Sequence, residues 1–245
     1  MDLLVLTSSC FPNTNVSTVR DSFSYNQYLY EVRQTICCAS CYFKFVVLID
    51  ASPEPFFSCF KADLQNLLRR LPVTPRVYII SPNFSQKQLE LISIRGKGLS
   101  ETLMLKIAYD FSLQFFNSDQ FTCTKLSSRY SLINAHSVFS NLSRQIKHSD
   151  FVIRRSTFYS QVMTVFYCFR GCHVLDMLLN AAHSSFDQTA PYIEHLFFHD
   201  VYMNVFVISK PFVCPAVFPN QLRSGSHGRR LSYRVQLRHF LATLF

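Results

Sequence analysis

The sequence predicts a three-layer, Rossmann-like α/β fold whose central sheet is mainly parallel in its first half. Strand-like runs occupy residues 3–7, 45–49 and 76–80, and apolar residues at helical spacing separate them. This alternation of strand and helix is typical of βαβ units, in which successive strands run parallel. The run at 45–49 is apolar throughout, as expected of a strand that is buried on both faces.

Residues 94–134 contain the densest group of candidate functional residues. This segment opens with the sequence RGKGLSE at 95–101, which we interpret as a glycine-bearing loop with two cations. Ser100 is expected to cap the helix that follows, and Glu101 is expected to lie near the positive end of the helix dipole. A short strand is then predicted at 121–125.

Polar residues are predicted to meet at one edge of this sheet, because ligands of open α/β sheets bind outside the carboxyl ends of the strands. The residues expected there are Thr7, Asp50, Ser81 and Lys125. Together with the start of the following helix they would suit a phosphate-bearing ligand. A plain βα turn explains the same glycine spacing, so both interpretations stay open. Asp50 is a candidate to contact a base or ribose, with a structural strand-ending carboxylate as the alternative.

The second half of the chain is less regular. Its predicted elements are strands at 151–155 and 162–169 and helices at 172–182, 190–207 and 231–245. No internal repeat or low-complexity linker separates the two halves, so we expect a single domain over residues 1–245.

The net charge and the cysteine content indicate which partners and which cellular compartment to expect. The formal net charge is +9, and residues 210–245 contain six Lys or Arg residues and no acid. This distribution favours partners with phosphate or an anionic membrane surface. We expect no secretory signal and no membrane-spanning helix, since the start of the chain has no basic segment and no apolar run is long enough. Nine cysteines in such a chain favour a reduced, cytoplasmic setting.

Cysteine and histidine spacing gives little support for a metal site. The cysteines at 37, 38 and 41 and those at 168 and 172 lack the paired spacing of a zinc ribbon, so buried core cysteines are expected. His195 and His199 stand four residues apart on a predicted helix, but no third ligand follows at a recognisable spacing.

Common catalytic motifs are missing from the chain. It contains no G-x-S-x-G, H-E-x-x-H, P-loop or Asp-x-Asp sequence. Fixed cations are candidates to neutralise phosphate instead, since arginine does so with a bidentate fork. These cations are Lys97, Lys125, Arg129, Arg229 and Arg230. Solvated surface residues are the alternative interpretation.

Three segments together resemble a bacterial family found in capsule and lipopolysaccharide gene clusters. They are RGKGLSE at 95–101, KLSSRY at 125–130 with Asn134, and the proline-led loop at 219–228 with Tyr233. Family members carry a K-G-x-x-E loop, an F-x-K-x-x-G-R-Y segment and a late loop similar to G-x-S-G-S-x-G. The chain departs from this pattern at Ser128, where the family has glycine, and at 223–224 in the late loop.

The resemblance extends, more distantly, to transferases of the GT-A type and implies a GT-A-like fold. It implies that residues 1–135 form the nucleotide-sugar-binding half and that 136–245 form the acceptor side, with a basic loop and helix. With the sheet edge, it predicts donor-binding roles for Thr7, Asp50, Lys97, Gly98, Ser100, Glu101, Lys125, Arg129, Tyr130 and Asn134. It predicts a phosphate-binding loop that contains Ser226, His227, Gly228, Arg229 and Tyr233.

The resemblance also bears on the chemistry. Lys125 and the residues after it stand where GT-A enzymes carry Asp-x-Asp, so fixed cations are expected to replace a divalent metal, and no cofactor is expected. An inverting transfer needs a base, and Glu194 stands at the start of a predicted helix, where relatives often place one. A carboxylate stabilised by the helix dipole is the alternative role for Glu194.

These observations predict a cytoplasmic glycosyltransferase that moves a sugar from a nucleotide-activated donor to a surface polysaccharide or a lipid-linked acceptor. A catalytically silent subunit of a polysaccharide-assembly complex is the first alternative. A nucleic-acid-binding protein is the second, although no RRM, KH or zinc-finger pattern appears, and no nucleic acid is expected as a partner. In a helix at 231–245, Arg230, Arg234 and Arg238 would form a cationic stripe suited to the inner face of the cytoplasmic membrane or to pyrophosphate.

Overall fold

The computed structural model describes residues 1–10, 22–71, 76–128, 135–155, 162–186, 193, 196–197 and 199. The strands of this part are β1 (Leu3–Ser8), β2 (Phe45–Asp50), β3 (Arg76–Ile80), β4 (Thr122–Ser127), β5 (Phe151–Arg155) and β6 (Val162–Arg170). Its α-helices are α1 (Ser22–Ala39), α2 (Phe56–Leu68), α3 (Gln86–Arg95), α4 (Lys97–Ser112), α5 (Ala135–Gln145) and α6 (Cys172–Ser184).

These strands form one sheet in the order β3-β2-β1-β4-β6-β5. The first four strands in this order are parallel, and β6 runs antiparallel to both of its neighbours. The predicted α/β class with a mainly parallel first half is therefore confirmed. The chain builds outward from β1 to one side and from β4 to the other, so the strand order reverses between them. Such a switch point is where open α/β sheets bind their ligands.

Helices cover both faces of the sheet, which confirms the three layers. Side chains alternate between the faces along each strand, and in β1 and β2 both sets are apolar. Leu4 and Leu6 belong to the core beneath α1, α2 and α5. Leu3 and Val5 belong to the core beneath α4 and α6. Burial on both faces explains why these strands read as continuous apolar runs.

The predicted glycine-bearing loop at 95–101 is wrong. Helix α3 ends at Arg95, α4 begins at Lys97, and Gly96 is the single residue between them, with a φ of 88° that favours glycine. Ser100 therefore does not cap α4; its backbone N–H lies in the first turn, 3.3 Å from the Gly96 carbonyl oxygen. Glu101, which was expected in the first turn, is the fifth residue of α4 and follows that turn.

Helices α3 and α5 add to the elements expected from the sequence. Helix α3 begins with a capping box, in which Ser85 Oγ accepts from the Gln88 N–H at 3.3 Å and the Gln88 side chain accepts from the Ser85 N–H at 2.8 Å. The predicted helix at 231–245 and most of the one at 190–207 lie outside the described residues. Among the helices that are described, none is long and apolar enough to cross a membrane.

Candidate functional site

Two buried hydroxyl groups lie side by side where β1 and β4 end. Thr7 of β1 pairs with Ser127 of β4 in the sheet register, and the two residues are each 2% exposed. Neither Thr7 Oγ1 nor Ser127 Oγ has a hydrogen-bond partner within the described part of the chain. Burying a polar group without a hydrogen-bond partner costs free energy. Each hydroxyl is therefore suited to form a hydrogen bond with a ligand. We call Thr7, Ser8, Ser127 and Ser128 the switch-point edge.

The first turn of α4 lies at the same end of the sheet. The chain leaves the carboxyl end of β3, passes through α3, and returns along α4 to the start of β4. Helix α4 therefore runs opposite to the parallel strands, and its N-terminus faces the carboxyl edge. The N–H groups of this turn and the helix dipole favour an anion there. Lys97, whose side chain is 45% exposed, begins the helix.

Glu101 links this helix end to the sheet. Its carboxylate lies 2.6 Å from Lys125 Nζ and 3.4 Å from Lys97 Nζ. Lys125 Nζ also donates to the Thr164 carbonyl oxygen of β6 at 2.8 Å and lies 5.8 Å from the centre of the Tyr167 ring. Burial, with the Glu101 charge, raises the pKa of Tyr167 well above its usual range, so the phenol stays neutral.

The prediction that Lys125 lies at the strand end needs correction. Lys125 is in the interior of β4 and is 2% exposed, and Ser127 ends the strand. The strand ends two residues later than expected, because residues 122–127 are all buried. With its charge paired to Glu101, Lys125 anchors α4 to β4 and β6.

Asp50 is the last residue of β2, beside the switch-point edge. Its carboxylate is fully buried: Oδ2 accepts from the Cys10 N–H at 2.9 Å, and Oδ1 accepts from the Ser52 N–H at 2.8 Å. The carboxylate thereby joins the segments that follow β1 and β2. Of the two interpretations from the sequence, this geometry supports the structural one, in which Asp50 positions loops, rather than contact with a base or ribose.

Tyr28 on α1 contacts the switch-point edge and was not among the residues predicted from the sequence. Its buried hydroxyl is hydrogen-bonded to Ser8 Oγ and, at 2.7 Å, to Ser128 Oγ. Ser128 stands where the resembled family has glycine, and here its hydroxyl takes part in a buried network. The apolar spacing of α1 in the sequence predicts a helix but does not indicate the partners of the Tyr28 hydroxyl.

The structure brings together part of the predicted site. Thr7 and Asp50 lie at the carboxyl ends of β1 and β2, and Lys125 lies within β4. The first five residues of α4 include Lys97, Gly98, Ser100 and Glu101. Other predicted site residues lie outside the described residues: Arg129, Tyr130, Asn134, Glu194, Ser226, His227, Gly228, Arg229 and Tyr233. His195 lies outside them as well.

Metal-ligating side chains do not gather in the described ranges. Within them, no group of three or more His, Cys, Asp or Glu residues is arranged to hold a metal ion. Cys37, Cys38 and Cys41, the first group of closely spaced cysteines, form no disulfide. Burial, with the neighbouring thiols of Cys41 and Cys37, raises the pKa of Cys38 to about 11, which keeps it protonated at neutral pH.

Comparison with known proteins gives fold-level similarity. No protein-family profile and no curated protein sequence matches the chain. Among solved structures, a nucleoside-diphosphate-sugar pyrophosphorylase from Vibrio cholerae RC9 aligns with a TM-score of 0.51 and 11% identity, over 84% of this chain and 89% of that one. The likeness establishes the fold.

Two further solved structures align less closely. A cytidylyltransferase from Leptospira borgpetersenii has a TM-score of 0.43 and 11% identity, over 84% of this chain and 73% of that one. A 4-diphosphocytidyl-2C-methyl-D-erythritol synthase from Anaerococcus prevotii has a TM-score of 0.43 and 5% identity, over 100% of this chain and 96% of that one.

Proposed function

We propose that the switch-point edge binds a nucleotide-activated sugar and that the protein transfers the sugar to a surface polysaccharide or a lipid-linked acceptor. The observation that carries this proposal is the pair of buried hydroxyls of Thr7 and Ser127, which lack partners within the described ranges at the switch point. A nucleotide-sugar offers several hydroxyl and phosphate oxygens that can satisfy such groups.

The N-terminus of α4 is suited to bind the diphosphate of the donor beside these hydroxyls. In the proposed reaction, the bond between the sugar anomeric carbon and the diphosphate oxygen breaks, and a bond to an acceptor oxygen forms. The acceptor hydroxyl gives its proton to a base, and the electron pair of the broken bond stays on the diphosphate. The dipole of α4 and the Lys97 ammonium stabilise the charge that develops there. Glu194 is our candidate for the base.

The carboxylates of Asp50 and Glu101, near the switch-point edge, already have partners, which favours donor binding without a divalent cation. Magnesium and manganese sites usually need carboxylate oxygens that are free to coordinate. Asp50 uses both oxygens to accept backbone N–H groups, and Glu101 is paired with Lys97 and Lys125. Arg129 and the basic segment that includes Arg229 are proposed to supply further positive charge. The acceptor and a peripheral position on an anionic membrane remain part of this proposal.

Nucleotidyl transfer is the second candidate, because the aligned Vibrio cholerae structure is a nucleoside-diphosphate-sugar pyrophosphorylase. A nucleoside triphosphate is commonly held by a glycine-rich loop that follows the first strand. In this chain the first glycine is Gly96, so the segment after β1 contains none. This feature favours a sugar donor over a triphosphate substrate.

A binding screen tests the proposal. Thermal shift and calorimetry are measured with UDP-glucose, GDP-mannose, CMP-N-acetylneuraminate and dTDP-glucose, with UTP and CTP as the competing class, each with manganese or EDTA. We expect one sugar nucleotide to bind and to stabilise the protein in both conditions. Binding of a triphosphate with no sugar nucleotide would favour nucleotidyl transfer, and no binding at all would contradict both functions.

Variants at the edge sharpen the test. Thr7→Val and Ser127→Ala each remove a buried hydroxyl, so the free protein should keep or raise its melting temperature. Sugar-nucleotide affinity should fall about tenfold in each variant, the value of one lost hydrogen bond. Ser149→Ala is the matched control, since Ser149 Oγ is also buried without a partner among described groups but precedes β5. Equal affinities in all three variants would contradict the assigned site.

A further inference from the structure

A chain of three hydroxyl groups lies on the α1 side of the switch-point edge. The Tyr28 hydroxyl joins Ser8 Oγ, at the end of β1, to Ser128 Oγ, which directly follows β4. All three residues are buried. One side chain from α1 therefore connects the two strands between which the sheet order reverses.

The two hydrogen bonds described for this chain of hydroxyls use fewer hydrogens than the three groups carry. Three hydroxyls carry three hydrogens, and the two hydrogen bonds between them use two. When Tyr28 donates to one serine and accepts from the other, the serine that accepts keeps its own hydrogen for a further partner. Burial, with the nearby Asp50 and Cys10, raises the pKa of Tyr28 above its usual range, so Tyr28 keeps its hydrogen at neutral pH.

The two sides of the edge differ in how their hydroxyls are satisfied. On the α4 side, Thr7 and Ser127 have no hydrogen-bond partner among the described residues. On the α1 side, Ser8 and Ser128 are held by Tyr28. One pair thus lacks partners among the described residues, and the other pair is held in place by Tyr28.

We propose that Tyr28 is a positioning residue for donor binding: it holds Ser8 and Ser128 and directs their remaining hydroxyl hydrogen toward an acceptor oxygen of the bound nucleotide-sugar. The hydrogen-bond chain reverses by rotating hydroxyl hydrogens, without moving heavier atoms. A ligand oxygen beside either serine can therefore be matched by the same residues. This inference rests on the proposed function.

Tyr28→Phe tests the inference, with Tyr109→Phe as the matched control. Tyr109 is also a buried tyrosine, but its hydroxyl donates to the Asp119 carbonyl oxygen in the segment that leads to the start of β4. Melting temperature and the Kd for UDP-glucose, GDP-mannose, CMP-N-acetylneuraminate and dTDP-glucose are measured for both. We expect both variants to lose thermal stability and only Tyr28→Phe to weaken binding, by about tenfold.

A triple variant separates positioning from stability. Tyr28→Phe combined with Ser8→Ala and Ser128→Ala removes the hydroxyls that the single change would strand. Its melting temperature should recover toward that of the unmodified protein, while its Kd should stay weak. Unmodified affinity in either Tyr28 variant would overturn the inference and leave the proposed function intact. Failure of the unmodified protein to bind all four probes would overturn both.

Discussion

Glu101 of α4 and Lys125 of β4 form a largely buried ion pair with 2.6 Å between carboxylate oxygen and ammonium nitrogen. The Lys125 ammonium also donates to the Thr164 carbonyl oxygen, so one side chain ties α4 to two strands. Taking such charges out of water is costly, and the cost is offset only while both partners are present. The pair therefore specifies how the N-terminal half of α4 sits beside the switch-point edge.

Lys125→Met should destabilise the fold by about 3 kcal/mol, because it leaves the Glu101 carboxylate poorly compensated beneath the helix. Chemical unfolding at neutral pH measures the change. Lys106→Met is the matched control, since Lys106 and Asp110 form a more exposed pair within α4. That control should cost less than about 0.5 kcal/mol.

Removing both buried charges should recover most of this loss, because hydrophobic residues of similar volume often replace a buried pair at little cost. Lys125→Met combined with Glu101→Leu should therefore unfold at a higher denaturant concentration than Lys125→Met alone. Equal costs for Lys125→Met and Lys106→Met would show that the 2.6 Å pair has no special weight.

The strands of the sheet could be predicted because each one is visible as a short apolar run of consecutive residues. Strands β1 and β2 are apolar on both faces, and a polar residue follows each run, so both their extent and their direction are visible in the sequence. Lys125 is different, because its partner Glu101 is 24 residues away and meets it only after α4 packs on the sheet. From the sequence alone, a lysine in a polar segment is expected at the exposed end of a strand, and the contact with Glu101 that allows its burial is not visible.

The prediction of a loop at 95–101 was wrong for a related reason. Two glycines around a lysine are typical of a loop, yet only Gly96 has the left-handed backbone that interrupts a helix. Gly98 lies inside α4, where a Cβ atom would come within 3.1 Å of the Ile193 side chain. Tyr28 was missed because helical spacing identifies buried residues but does not identify the hydrogen bonds of a hydroxyl at the end of the ring.

Gly98→Ala should show strong coupling with Ile193→Ala. Alanine is favoured over glycine inside a helix by about 1 kcal/mol, but a Cβ at Gly98 would lie 3.1 Å from two carbon atoms of Ile193. We expect Gly98→Ala to give no gain, or a loss, in the unmodified protein and a gain of about 0.5–1 kcal/mol when Ile193 is alanine. A double-mutant cycle by urea unfolding measures the coupling, and additive effects would contradict the close contact.

Chelation should leave sugar-nucleotide binding unchanged. Both edge carboxylates have other partners, since Asp50 accepts two backbone N–H groups and Glu101 faces two lysines. Calorimetric titrations in EDTA and in manganese should give Kd values within about twofold of each other, because no coordination bond would be lost. Loss of binding in EDTA that manganese restores would contradict a metal-independent donor site.

Asp2→Asn should reduce stability at neutral pH and lose this effect in acid. Burial acts to raise the pKa of Asp2, but hydrogen bonds from Lys44 and from the backbone and hydroxyl of Thr122, with the Lys44 charge, outweigh it and lower the pKa. A lowered folded-state pKa contributes stability above the unfolded-state value of about 3.9, and this contribution disappears as pH falls through the folded-state pKa. The variant should therefore cost roughly 1 kcal/mol at pH 6 to 7, and unfolding curves of both proteins should converge toward pH 2. A constant difference between the two proteins across this range would show that Asp2 contributes through packing instead of through its charge.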